Sequence, residues 1–283
     1  MGNCWKLSVY GDTEIARSYW TKSHRILTER EYDEIKATLM EEVRAKVESS
    51  QSNTDFIASS EFIWGHYGAE KEKIQELAEA LRSIFGSVKV IFYCRDQASY
   101  VSSAYAQWVK GPARTTKSFN SCKRWVLEYC RDFWDYYSTL SCWAEAFGEG
   151  NIKVNVFSRD SFYRGDLIAD FLKAVDDDLA EKISVPTSQA DNISPSNLQI
   201  ELIRYSNFIP GGHWRLDRLR QQLLTKILST GISGLSNNKT RKFSEHELRQ
   251  LYETNALFNR RFLHNNQHVL PEVHFTPLCD HPN

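Results

Sequence analysis

The chain has 283 residues, 41% hydrophobic, 25% charged and 13% aromatic, with a net charge of −1. This length suits one large domain or two small ones, and that aromatic share fills a core without disulfide support. A charge so close to zero sets up no global field, so neither nucleic acid nor anionic lipid is expected as a partner, and any anion site must be local. No apolar run approaches about 18 residues, so no membrane span is expected. Residues 1–10 are too polar for a secretory signal peptide. Cys4, Cys94, Cys122, Cys130, Cys142 and Cys279 form no C-x-x-C pair and no zinc-like spacing, which predicts reduced thiols in a cytoplasmic protein. The sequons at Asn192 and Asn238 weigh little without other signs of secretion.

Taken in chain order, residues 55–60 form a short apolar run ending in small polar residues. Over 69–85, Ile74, Leu77, Ala78, Leu81, Ile84 and Phe85 repeat at three and four, which predicts an amphipathic helix stopped by Gly86. The run 88–94 is β-branched, aromatic and nearly all apolar, as in a parallel strand covered on both faces. A helix is expected over 97–109, one long or two short helices over 119–147, a strand over 152–157, and a helix over 165–175 with Leu167, Ile168, Phe171 and Leu172 on one face. This alternation is the grammar of βαβ units. Further on, Ser194-Pro195 reads as N-cap and first helical residue. Ser244 and Glu247 read as a capping box. Asp176, Asp177 and Asp178 read as a solvated loop, so the chain is taken as a single domain over 1–263 with a helical C-terminal part and an irregular tail over 264–283.

The most informative segment is 93–105. Arg95 directly follows a predicted strand, and in open parallel sheets ligands bind just beyond the carboxyl ends of strands. An arginine there can grip a phosphate through two parallel hydrogen bonds. At about 100° per residue, Tyr100, Val101, Ala104, Tyr105, Trp108 and Val109 form one apolar arc, and Ser103 and Lys110 lie off it. Arg95, Ser103 and Lys110 are therefore candidate ligands for one anion beside a helix N-terminus. The alternative is that Arg95 pairs with a surface carboxylate and Ser103 merely occupies a helix surface.

In order, Tyr93, Arg95, Gln97, Ser103, Tyr105, Gln107, Val109, Lys110 and Gly111 resemble the 3′-phosphate-binding region of sulfotransferases, which use 3′-phosphoadenosine 5′-phosphosulfate (PAPS). The nearer likeness is to bacterial sulfotransferase-like proteins. In that family an arginine closes a strand and a serine stands eight positions on, the spacing of Arg95 and Ser103. A fainter likeness runs from about residue 2 to residue 263. Ser59-Ser60-Glu61 is similar to the family's strand-end Ser-Ser-Glu, and Phe147-Gly148, Gly165-Asp166-Leu167 and Asp170-Phe171-Leu172 also look familial. The resemblance implies a three-layer α/β domain with a mostly parallel sheet, of the P-loop NTPase and sulfotransferase kind. It implies PAPS as co-substrate, no metal, and a hydroxyl-bearing acceptor such as a glycan or small metabolite. It makes Glu61 a candidate base that takes the acceptor's proton; the alternative is that Glu61 caps or orients a loop. His66 is a weaker rival.

The family's second anion site is a glycine-rich turn with lysine that wraps the 5′-phosphosulfate. No Gly-x-x-x-x-Gly-Lys-Ser or Lys-x-Gly-Thr-Thr occurs here. Gly11-Asp12-Thr13-Glu14 brings negative charge and no lysine, and Gly211-Gly212-His213-Trp214 has no preceding strand. Gly2-Asn3-Cys4-Trp5 is similar to a segment that follows the loop in the family. The resemblance thus implies a chain without the opening strand, loop and helix, in which residues 6–10 are the candidate replacement strand. Two functions stay open: sulfuryl transfer if the loop is supplied upstream, or a non-catalytic or truncated relative acting as an interaction module. The missing lysine loop and the lack of a clear magnesium-binding Asp pair weigh against a kinase. In the C-terminal region, Arg260 and Arg261 are candidate donor contacts, while His264, His268, His274, His281 and Cys279 match no standard metal spacing. Trp5, Trp20, Trp64 and Trp108 are read as core, with sugar stacking as the alternative.

Overall fold

In the computed structural model, which describes residues 4–23, 26–51, 54–95, 97–111, 114–129, 136–158, 160–183, 195–209, 214–229, 243–244, 246–247 and 249, two apolar runs pair side by side. Val90–Cys94 (β1) and Ile152–Val156 (β2) form a parallel ladder in which Val90 faces Ile152 and Cys94 faces Val156. Parallel strands cannot be joined by a hairpin. Here the described part of the crossover holds three helices, Gln97–Lys110, Phe119–Tyr129 and Tyr136–Phe147. The protein is thus α/β, mostly helical, with a small parallel sheet among the described residues.

Among the described residues, five α-helices precede β1: α1 (Lys6–Tyr10), α2 (Glu14–Arg17), α3 (Glu29–Glu48), α4 (Phe62–Tyr67) and α5 (Lys71–Arg82). A π-helical turn, Ser18–Ser23, follows α2. The helices described in the crossover are α6 (Gln97–Lys110), α7 (Phe119–Tyr129) and α8 (Tyr136–Phe147). After β2 come α9 (Leu167–Val175), α10 (Leu179–Lys182), α11 (Asn197–Ser206) and α12 (Trp214–Ser229).

Helix α8 covers the strands. Its Tyr136 and Leu140 are buried with Cys94 and Val154, while Trp143 and Phe147 pack with Ile74, Leu77 and Ala78 of α5 against the partly buried Val90, Phe92 and Ile152. The Trp143 and Phe147 rings are stacked, 5.4 Å apart, and Phe92 meets Trp143 edge-on at 5.4 Å. A separate core joins α6, α7 and α11 through Val101, Tyr105, Val109, Phe119, Cys122, Val126, Ile200 and Ile203.

Several boundaries and some element types differ from expectation. Residues 6–10 form a helix, because Leu7, Ser8 and Val9 are all buried at once and α1 packs on α3 and α4 rather than beside a strand. Residues 54–60 carry no strand. They are exposed up to Ser59, whose carbonyl accepts from the Cys4 N–H at 2.8 Å, and Phe56 leans on Phe85. Helix α9 buries Ala169 and Ala174 and leaves Leu167 and Ile168 exposed. The cap of α11 falls on Ser196, with a full capping box to Gln199, because Ser196 has the extended backbone that an N-cap needs. Ser244 and Glu247 do form their box: the Ser244 N–H donates to the Glu247 carboxylate at 2.7 Å and the Glu247 N–H to Ser244 Oγ at 3.2 Å. Asp176, Asp177 and Asp178 are exposed between α9 and α10. Residues 264–283, Arg260, Arg261, Asn192, Asn238, Cys130, Cys279 and Gly211 to His213 lie outside the described residues. The described cysteines Cys4, Cys94, Cys122 and Cys142 are free thiols.

Gly11 is explained by packing. A Cβ on Gly11 would overlap the ring of Tyr67, which is buried and donates its hydroxyl to the Leu7 carbonyl at 2.9 Å. The glycine lets α1 close onto that ring. Gly11→Ala should therefore lower stability by about 1–3 kcal/mol, the range for overpacking a filled core. A urea titration would read this as a lower midpoint at unchanged slope, and an unchanged midpoint would refute the packing role.

Candidate functional site

The carboxyl ends of β1 and β2 open at the same place. Arg95 follows β1 directly, and past β2 the Phe157 N–H donates to the Cys94 carbonyl at 2.7 Å, carrying the pairing one residue further. The Arg95 guanidinium carbon lies 5.7 Å from the centre of the Phe157 ring, and the Arg95 carbonyl accepts from the Tyr136 hydroxyl at 2.8 Å. The side chain is half-buried. Among the described residues its guanidinium makes no hydrogen bond and no ion pair.

Helix α6 starts two residues later. Val101, Tyr105 and Val109 are its buried face. Ser103 and Lys110 lie on the opposite side, about 20° apart around the axis. Among the described residues neither makes a side-chain hydrogen bond or ion pair; Ser103 is half-buried and Lys110 exposed. Because α6 is continuous, Lys110 stands about 10 Å along the axis beyond Ser103, at the end far from Arg95. Ser103 itself stands about 9 Å along the axis from the start of α6.

Glu61 is exposed and precedes α4 in the N-cap position, but its side chain makes no capping bond. Ser60 Oγ instead accepts from the Phe62 N–H at 3.3 Å. Burial of the Tyr19 ring and, after it, the negative charge of Glu61 raise the pKa of Tyr19. One turn on, Trp64 packs on Phe92 of β1 at 5.3 Å and on Tyr136 of α8 at 5.4 Å, so α4 is anchored to the strand that carries Arg95. No hydrogen bond or ion pair joins any two of Glu61, Arg95, Ser103 and Lys110. His66 is buried among Tyr19, Trp20 and Phe62, and its carbonyl accepts from Thr13 Oγ1. Trp5 and Trp20 pack on each other, and Trp108 meets Trp125 edge-on. Among the described residues, no three His, Cys, Asp or Glu side chains are grouped to hold a metal ion, and no helix is long and apolar enough to cross a membrane.

One organising residue drew no functional reading from the sequence. Asp170 of α9 accepts from the Tyr93 hydroxyl at 2.7 Å, Asn155 Nδ2 at 3.0 Å and the Tyr163 N–H at 2.9 Å. It ties β1, β2 and the loop after β2 to one carboxylate. Burial and the bond to this carboxylate raise the Tyr93 pKa, so Tyr93 is a neutral donor. The available signal was a carboxylate set between Ile168 and Phe171 in an apolar helical stretch.

No protein-family model matches the chain, and no solved structure does. An uncharacterized protein of the archaeon Archaeoglobus fulgidus is 31% identical over 188 residues, which is 65% of this chain and 48% of the relative. The chain thus spans about half the length of that relative.

Burial pushes the Cys94 thiol, next to Arg95, from its ordinary 9.0 up to about 12. The folded protein keeps a proton that the unfolded chain releases above pH 9.0, so this contribution to stability is full below pH 9.0 and lost as pH rises towards about 12. Cys94→Ala should show a shallower alkaline loss of urea midpoint than the wild type between those pH values. Identical pH profiles would refute this.

Proposed function

We propose that this chain is a sulfotransferase-like protein that binds the 3′-phosphate of PAPS through Arg95 and Ser103. The observation that carries the reading is the Arg95 guanidinium: half-buried at the carboxyl end of a parallel pair, clear of any carboxylate among the described residues, and eight residues before a serine on the outer face of the next helix. A dianionic phosphate suits that arrangement, since the guanidinium fork matches two phosphate oxygens and a hydroxyl supplies a third donor. The nearby start of α6 adds a favourable dipole. The wider fold in this proposal is the three-layer P-loop NTPase kind.

In the proposed transfer, an acceptor hydroxyl oxygen forms a bond to the sulfur of PAPS. The sulfur–oxygen bond to the 5′-phosphate breaks, and adenosine 3′,5′-bisphosphate leaves. The hydroxyl proton passes to the Glu61 carboxylate. The step also needs donors for the 5′-phosphosulfate, which in this proposal come from a glycine-rich loop supplied upstream. Lys110 is left to contact a more distant part of the donor or the acceptor. A second reading, a relative that serves as an interaction module without catalysing transfer, is favoured by residues 54–60: they form no strand, so Glu61 is not set at a strand end as the catalytic reading asks.

Calorimetry with adenosine 3′,5′-bisphosphate tests the binding claim. The wild type should bind it, Arg95→Ala should weaken binding by about 10- to 100-fold, as expected for losing a charged hydrogen-bond pair, and Ser103→Ala by less. Adenosine 5′-monophosphate, which lacks the 3′-phosphate, should bind the wild type about as weakly as the bisphosphate binds Arg95→Ala. A folded wild type that binds none of the bisphosphate would overturn the proposal.

A further inference from the structure

Several arginines of this protein lie over an aromatic ring, and their N–H groups are mostly committed. Arg17 sits 4.4 Å from the Tyr32 ring centre and donates to Asp12, Glu29 and Asp33 at 3.0, 2.8 and 2.7 Å. Arg164 lies 5.0 Å from the Tyr163 ring and pairs with Glu181 at 2.8 Å. Arg204 lies 4.2 Å from the Tyr205 ring and donates to Glu201 at 2.7 Å. Arg82 lies 6.0 Å from the Phe147 ring and donates to the Ala146 carbonyl. Arg95 differs: it has the ring of Phe157 at 5.7 Å, and among the described residues none of its N–H groups is bonded. A ring attracts a guanidinium through its electron-rich face and consumes none of the five N–H donors. Such a contact can hold an arginine in place while its fork stays available.

Phe157 is itself held. It meets Phe162 edge-on at 5.4 Å and Tyr93 edge-on at 6.5 Å, and its N–H is bonded to the Cys94 carbonyl. Asp170 fixes the surroundings by binding the Tyr93 hydroxyl, the Asn155 amide and the Tyr163 N–H together. The ring thus stands on a clamped loop between two strand ends, although its own surface is 40% exposed. A free arginine loses considerable rotamer entropy when it grips a ligand, and a ring that restrains it beforehand lowers that cost.

We infer that Phe157 is a positioning residue for anion binding by Arg95, presenting the guanidinium with its donors unspent. The inference rests on the proposed 3′-phosphate site and adds to it a second strand's contribution. Phe157 touches the arginine, and the arginine touches the ligand.

The test is calorimetric binding of adenosine 3′,5′-bisphosphate to wild type, Phe157→Leu, Phe157→Trp, Arg95→Lys and the Arg95→Lys/Phe157→Leu double variant, with urea midpoints measured in parallel. Phe157→Leu should weaken binding by about two- to fivefold, the scale of an exposed cation–π contact. Phe157→Trp should restore it, because tryptophan offers the strongest ring face. In the Arg95→Lys background Phe157→Leu should cost less than in the wild type, since the planar fork that stacks is gone. Wild-type affinity in Phe157→Leu would overturn the inference and leave the Arg95 site standing. So would the same loss in both backgrounds or a failure of tryptophan to restore binding, which would mark a purely structural ring. A folded wild type that binds none of the bisphosphate would overturn both.

Discussion

The parallel pairing of Val90–Cys94 with Ile152–Val156 is the constraint on which the rest depends. Two five-residue strands hydrogen-bonded to each other are marginal by themselves. Parallel strands persist when helices cover them. Helix α8 does most of this here: Tyr136 and Leu140 bury the carboxyl half of the ladder, Trp143 and Phe147 the amino half, and α5 packs behind the latter. The same helix reaches the candidate site through the Tyr136 hydroxyl, which donates to the Arg95 carbonyl. The core and the site are therefore coupled by one side chain. Aromatic area fills the core while the polar tip fixes the backbone where the strand ends.

Helix α6 divides two tasks between its faces. Val101, Tyr105 and Val109 bind it to α7 and α11, and that attachment leaves Ser103 and Lys110 turned outward. The outward face is free of side-chain partners at those two positions among the described residues, so it can meet a ligand without first breaking a contact. Asp170 plays the complementary role on the other strand, since its three accepted hydrogen bonds make the loop after β2 part of the rigid frame.

Much of this was legible in the sequence where the local signal and the packing agree. The run 88–94 has no polar residue except Lys89, and β1 falls inside it. The spacing of Ile74, Leu77 and Ala78 puts the buried face of α5 where it is found. Of the long helical stretch expected over 119–147, the described parts are α7 and α8, and residues 130–135 lie outside the described residues. Long-range packing decided what local pattern could not. Residues 6–10 alternate enough to suggest a strand, yet Tyr67, sixty residues away, takes the Leu7 carbonyl and requires a glycine at position 11, so the segment coils. Helix α3 went unforeseen although Thr28 and Glu31 form a capping box, because its 20 residues bury just Tyr32 and Leu39 and its pattern is largely polar. For the site, the Arg95–Ser103 spacing was visible in one dimension. The partnership of Arg95 with Phe157 was not, because the two directly follow strands whose adjacency is a fact of topology.

That adjacency also bears on how the chain finds its structure. The ladder joins segments roughly sixty residues apart, and closing such a loop costs entropy before any strand bond is gained. Long-range pairing of this kind slows folding. The intervening helices shorten the search: α8 runs into β2 through Gly148, whose φ of 89° suits glycine and turns the chain sharply, while α5 lies just ahead of β1. Docking α5 on α8 would bring both strands together, and because the Tyr136 hydroxyl of α8 is bonded to the Arg95 carbonyl, it would place Arg95 in the same step. The candidate binding site is expected to form together with the ladder rather than after it.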